Sequence, residues 1–287
     1  MDSSAQHKFQ FSDEIFINYD IHGHGHTAII FLHGFGASRK TWDDIAAFFS
    51  SDLYSLYLID LKGFGLSSKP HDGHYSFEDQ ANIILAFISF LSLHGIILIG
   101  HSFGGGVALL ISIILEASAK KNVIKDLVLI DCAAFTEDIP FPISFLQNPI
   151  LNFISQDLVP ADLKARFSLT KAFYDKDKVT QKIIDRYAVY LNGPDYEYAL
   201  TQTAKEIVPD NYDNIVKAYS HISAPTLIIW GKNDPILSLE NGKKLNRLIS
   251  ESTLKIIKNC GHIPQEELPK ETFEIIADFL RVRGSKK

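Results

Sequence analysis

The apolar positions of this chain change rhythm twice. In the first half, predominantly apolar runs at 28–32, 53–59, 96–99 and 126–130 are each followed by His, Asp or Gly. Short runs with little polar alternation predict strands buried on both faces. Upstream, 9–11 and 15–21 alternate instead, which predicts half-buried strands joined by a turn at Ser12-Asp13-Glu14. Helices are predicted between the buried strands. One opens at Thr41-Trp42-Asp43-Asp44 after Ser38, one at Ser76-Phe77-Glu78-Asp79 in a capping pattern, and one just after residue 102. The order β-α-β-α-β-α-β predicts an α/β protein with a doubly wound parallel sheet and right-handed crossovers.

From 135 to about 220 the buried runs disappear. Amphipathic stretches at 143–154, 160–167, 180–191 and 198–206 take their place, punctuated by Pro and Asn-Gly. Strand character returns at 225–230 and 253–257, with a helix from Leu239 between them and a final helix over 264–281. An insert of roughly 80 residues is too long for a loop and reads as a helical cap. The expected organisation is therefore a core from 1–133, a cap from 134–220 and the rest of the core from 221–287.

Composition narrows the class. Apolar residues make up 46%, with 20 Phe and 11 Tyr, so the chain has the means to build a large core. A formal charge of −6, with no Lys/Arg run longer than two, argues against a nucleic-acid or anionic-membrane partner. Cys132 and Cys260 give no disulfide framework, and the first eight residues lack an apolar signal core. Residues 80–115 carry no Lys, Arg, Asp or Glu, yet Gly95, Gly100 and Gly104-Gly105-Gly106 interrupt them. A buried helix, strand and helix are expected there rather than a membrane span. The expectation is a soluble cytoplasmic protein.

Four residues that could do chemistry follow predicted strands: His33, Asp60, Ser102 and Asp131. Ligands of such sheets bind at the carboxyl ends of the strands. Gly100-His101-Ser102-Phe103-Gly104 is a G-x-S-x-G pentapeptide in strand–turn–helix context, the setting that exposes a serine hydroxyl for attack. A serine nucleophile needs a base. His101 adjoins Ser102 on an extended strand and points the other way, so packing is its expected role. His262, in Asn259-Cys260-Gly261-His262-Ile263-Pro264, follows the last strand and is the candidate base. Its orienting carboxylate is Asp234, in Gly231-Lys232-Asn233-Asp234-Pro235, or alternatively Asp131. Oxyanion donors are expected from the backbone N–H groups of Phe35 and Phe103. His22-Gly23-His24-Gly25-His26 reads as a glycine-rich hairpin turn rather than a metal site.

His33-Gly34-Phe35-Gly36, Asp60-x-x-Gly63-x-Gly65-x-Ser67, Gly100-His101-Ser102-Phe103-Gly104-Gly105, Gly231-x-x-Asp234 and Gly261-His262 occur in register. In order and spacing they resemble the α/β-hydrolase superfamily, most closely its serine-nucleophile branch with a helical cap. The resemblance implies a mostly parallel eight-stranded sheet and a Ser102–His262–Asp234 triad, the chain order Ser, Asp, His favouring Asp234 over Asp131. Position 102 argues against the branches that use Asp as nucleophile. The branch it resembles holds esterases, lipase-like enzymes, C–C hydrolases of the meta-cleavage type and cofactor-free perhydrolases. The leading expectation is hydrolysis of a small or medium apolar ester with no metal or organic cofactor. Cleavage of a C–C bond in a ketone substrate, acyl transfer, and a non-catalytic ligand receptor are the alternatives. Lys62 stands where the Asp60 motif usually carries Arg, and lysine cannot form a planar fork. Asp60 itself is expected to anchor its loop. Phe141, Phe145, Leu146, Leu151, Phe153, Phe167 and Phe173 would line an apolar pocket or fill a core of the cap itself. Asp195, Tyr196 and Glu197 are expected in a solvated loop.

Overall fold

Side-chain alternation within the buried runs divides one sheet between two cores. The computed structural model describes residues 6–118, 122–136, 159–191 and 193–284. Strands β1 (Gln6–Gln10), β2 (Phe16–His22), β3 (Thr27–Leu32), β4 (Tyr54–Ile59), β5 (Ile96–His101), β6 (Ile124–Ile130), β7 (Thr226–Gly231) and β8 (Ser252–Ile257) form a single sheet. Its eight strands run in the order β1-β2-β4-β3-β5-β6-β7-β8. β1 and β2 pair antiparallel, as do β2 and β4; every other pairing is parallel. Ile30, Leu32, Leu98, Leu129 and Ile228 face one core. Their neighbours Ile29, Phe31, Ile99, Val128 and Ile229 face the other. A period of two thus explains why these strands read as unbroken apolar runs.

The first core is covered by α2 (Phe77–Phe90) and α3 (Phe103–Ala117). The capping box predicted at Ser76 is present, with Ser76 and Asp79 satisfying each other's backbone N–H groups. The second core is covered by the one-turn helix α1 (Asp43–Ala46) and by the C-terminal helix. The uncharged 80–115 stretch is α2, β5 and α3, and no helix among the described residues is long and apolar enough to cross a membrane. The chain steps from β3 to β4 on one side and returns to β5 on the other. The crevice this leaves lies at the carboxyl ends of β3 and β5, where Phe35 and Ser102 follow.

Between β6 and β7 the described residues form α4 (Ala161–Ala172), α5 (Gln181–Ala188), α6 (Pro194–Lys205) and α7 (Tyr212–Ala218). The stretch predicted at 143–154 lies outside the described residues, as do Phe141, Phe145, Leu146, Leu151 and Phe153. Phe173 packs with Ala165, Leu169, Ile184 and Ile263 in a small core of its own, whereas Phe167 is exposed. Asp195, Tyr196 and Glu197 belong to the first turn of α6 rather than to a loop, and Tyr196 is buried.

Two other expectations fail for physical reasons. α8 (Leu239–Leu248) follows β7, and the predicted helix over 264–281 is broken into α9 (Pro264–Glu267) and α10 (Pro269–Gly284). Pro269 forces Leu268 out of helical geometry, to φ −137 and ψ 60. The His22–His26 stretch closes no hairpin, because β2 pairs with β4 and not with β3. Instead it passes the start of β4, where the His24 N–H donates to Ser51 O at 2.8 Å. Turn chemistry is local and does not reveal that another strand will lie between.

α3 lies so close to the sheet that glycine is required. A Cβ on Gly100 would sit 2.4 Å from Gly104 O, and one on Gly104 would sit 2.3 Å from Leu32 O. Both obstacles are main chain and cannot rotate away. Gly104→Ala is therefore expected to cost about 1–3 kcal/mol. The cost should appear as a lower urea midpoint with an unchanged m-value; an unaltered midpoint would show that α3 can retreat freely.

Candidate active site

Ser102 occupies the single residue between β5 and α3, at φ 50 and ψ −116. A left-handed φ at a non-glycine residue costs on the order of 1–3 kcal/mol and survives only where its surroundings dictate it. Here the Ser102 carbonyl accepts N–H bonds from Gly105, Gly106 and Ala133 at 2.9, 3.1 and 3.0 Å. Its own N–H donates to Ile130 O at 2.9 Å. The hydroxyl is thereby lifted above the sheet edge.

His262 arrives on the loop after β8. The imidazole Nε2 lies 3.0 Å from Ser102 Oγ, and Nδ1 lies 2.8 Å from Asp234 Oδ2. With Nδ1–H facing the carboxylate, Nε2 is free to accept the hydroxyl proton. Asp234 Oδ1 accepts the N–H groups of Ile236 and Leu237 at 2.7 and 3.0 Å. Burial opposes ionisation of Asp234, but His262 and these donors hold it below the usual carboxylate range. The distances thus link Ser102, His262 and Asp234 in one line. Asp131, the rival carboxylate, lies beside Asp234 and accepts the Gly231 N–H at 2.9 Å.

Phe35 and Phe103 border the same spot. Among the described residues no acceptor takes either backbone N–H, so both remain available to a ligand. Phe103 also opens α3, whose amino-terminal dipole favours negative charge.

Several supporting residues carry no sequence signal of their own. His101 points away from Ser102 as expected, but it does more than pack. Its Nε2–H donates to the His262 carbonyl at 2.7 Å. Burial, with His262 nearby, lowers its pKa to about 3, so the ring stays neutral. Asp60 anchors its loop, accepting N–H bonds from Arg39 and Leu66 at 2.7 and 2.9 Å. The guanidinium on Asp60 comes from buried Arg39, which also pairs with Asp20 at 2.8 Å. Lys62 serves a neighbouring turn, its Nζ binding both oxygens of Asp72 and the His74 carbonyl.

The helices inserted before β7 grip the loop that carries His262. The His262 N–H donates to Ala172 O at 2.8 Å. Glu267 Oε2 accepts the N–H groups of Gly261 and Tyr174, and Oε1 that of Asp175. Glu266 meets Arg186 at 3.4 Å, the Tyr187 hydroxyl at 2.7 Å, and Thr41. Burial pushes the Glu266 carboxyl up to about 7, against the pull of Arg186.

A cavity opens beside Ser102. Phe35, Phe77, Phe103, Phe135, Ile207 and Ile215 supply much of its wall, with Gly106 and Leu110 along α3. Two of the wall's hydroxyls bond to the chain itself. Tyr219 donates to Ala134 O at 2.8 Å, and Tyr212 accepts the Thr136 N–H at 3.2 Å. Neither Phe167 nor Phe173 reaches this cavity.

Residues 27–269 match the family model described as alpha/beta hydrolase fold. The chain belongs to that family. Lipase 3 of Moraxella sp. (strain TA144) is 25% identical over 261 residues, spanning 85% of this chain and 74% of the relative. A thermophilic esterase from Thermogutta terrifontis superposes with a TM-score of 0.77 at 22% identity, over 97% of this chain and 98% of that one. A meta-cleavage product hydrolase from Pseudomonas fluorescens IP01 gives 0.74 at 20% identity, over 94% and 95%. These two structures share the fold of this hydrolase-family member.

Neutral burial of His101 makes stability depend on pH. Its folded pKa is depressed below the ordinary value of 6.5, so its contribution is complete above that value. The contribution is lost as pH falls toward 3. Glu266, with a raised pKa, acts in the opposite sense. Replacing His101 with Gln keeps an N–H donor for His262 O but cannot titrate. The variant should lose less stability than the parent between about pH 7 and pH 5. Equal losses in urea titrations would assign the acid sensitivity to another group.

Proposed function

We propose that the protein is a serine carboxylic-ester hydrolase for small or medium apolar esters, working through an acyl-enzyme. The observation that carries this reading is the line from Ser102 Oγ through the His262 ring to Asp234, with contacts of 3.0 and 2.8 Å. His262 takes the hydroxyl proton as Ser102 attacks the ester carbonyl. Asp234 keeps the ring oriented and offsets the charge it acquires. The Phe35 and Phe103 amides receive the oxyanion. His262 returns its proton to the departing alcohol, then activates the water that releases the acid. The insertion at 134–220, of which α4 to α7 are described, acts as the cap.

Esterase activity fits the cavity better than C–C cleavage. A vinylogous diketone has several polar oxygens to hold, and a wall made largely of aromatic and aliphatic side chains offers few groups to receive them. The similarity to a lipase at 25% identity supports the same bond class. From Ser102 to Leu110 the cavity follows α3 for about 12 Å at ~1.5 Å per residue, enough for a medium acyl chain.

A fluorophosphonate probe should label Ser102, and Ser102→Ala should lower kcat by about 10⁴-fold or more. Asp234→Asn should cost several orders of magnitude with the fold intact by circular dichroism. Labelling at another residue would overturn the assignment. On a p-nitrophenyl ester series, kcat/KM should peak between about six and ten acyl carbons. Leu110→Trp should move the peak to shorter chains; a peak that stays put would place the acyl group elsewhere.

A further inference from the structure

Asp131 has no part in the reaction just described, yet it is fully buried against the proposed catalytic carboxylate. It follows β6 with φ 40, a left-handed backbone at a non-glycine residue. Its Oδ1 accepts the Gly231 N–H at 2.9 Å. Its Oδ2 is buried and meets no N–H or O–H donor. What the carboxyl does meet is another carboxyl: Asp131 and Asp234 are within hydrogen-bonding contact. Polar atoms of Asp131, Asp234 and His262 all lie within 4.8 Å of one another.

Two touching carboxylates in a dry site do not both stay ionised, and a hydrogen bond between them requires one proton. The surroundings decide which residue keeps it. Asp234 receives N–H groups from Ile236, Leu237 and His262, all of which favour its anion. Asp131 receives one N–H. Burial and then the charge on Asp234 raise the Asp131 pKa well above the ordinary carboxyl value, and the Glu267 carboxylate on α9 adds to this. The other titratable neighbours are the Cys132 and Cys260 thiols, whose pKa values burial also raises. His101, a neutral ring on β5, bonds the carbonyl of His262.

We infer that Asp131 is a neutral carboxylic acid whose O–H donates to Asp234, making it a positioning residue for the triad carboxylate. The inference rests on the reading of Asp234 given above. A neutral donor fixes the direction of the Asp234 oxygens without adding a second negative charge beneath the imidazole.

Infrared difference spectroscopy tests the proton directly. Wild type minus Asp131→Asn at neutral pH should contain a carboxylic-acid carbonyl band that shifts in deuterium oxide. The band should persist in a Ser102→Ala background, so it is read independently of turnover. Loss of the Ser102 assignment would leave this result standing, and absence of the band would overturn the Asp131 inference alone. A second readout is the acid limb of the kcat/KM profile. Asn carries no charge, so the limb of Asp131→Asn should stay within about 0.3 pH unit of wild type. A move of about one unit or more to lower pH would mean that a buried anion had been removed, and would overturn the proposal. Finally, Asp131→Gly tolerates the left-handed φ but donates nothing. It should lower kcat by about tenfold with KM nearly unchanged, and Asp131→Asn, which keeps a donor, should recover most of that loss. Equal kcat values for Asp131→Gly and wild type would remove the positioning role.

Discussion

The backbone turn at Ser102 is the constraint on which the other parts of the site depend. A residue at φ 50 between a buried strand and a buried helix is strained, and three amide donors on its carbonyl hold it there. Those donors belong to the first turn of α3 and to the segment after β6. The geometry of the hydroxyl is thus set by the sheet, not by flexible side chains. Strain of this kind is tolerable because the strands below it are buried on both faces and give it no route to relax.

Around that turn, charge is distributed so that one group carries each burden. His101 and His33 are buried and kept neutral, and each still supplies a hydrogen bond to a loop. Arg39 bridges Asp20 and Asp60, and Lys40 brings a second cation to Asp20 at 3.2 Å. Asp234 is the carboxylate that faces the imidazole. Low local dielectric makes each of these pairings strong and each omission costly.

The fold was legible because its strands obey one simple rule, and the runs at 28–32, 96–99 and 126–130 each became a buried parallel strand. Motif spacing singled out Ser102, Asp234 and His262, which the structure then brings into hydrogen-bonding line. What stayed hidden depends on partners far apart in sequence. Nothing near Arg39 announces Asp60, and nothing near Arg186 announces Glu266. The contact between Asp131 and Asp234 is likewise a product of β6 and β7 lying side by side. Two errors were local. The proline at 269 is a visible breaker inside the predicted helix, and the glycine-rich stretch at 22–26 reads as a hairpin although β4 lies between its flanking strands.

The bonds between the histidine loop and the end of α4 with the segment after it are main-chain contacts or carboxylate bonds to main-chain amides. Such contacts read backbone position rather than side-chain identity. Many sequences could therefore drift in α4 while the loop keeps its place, provided that the path of the chain near Ala172 and Asp175 is preserved; α5 differs, because its Arg186 and Tyr187 side chains hold Glu266. Transplanting this insertion into a related scaffold, or replacing it with another, would fail or succeed on that path more than on the residues carried along it.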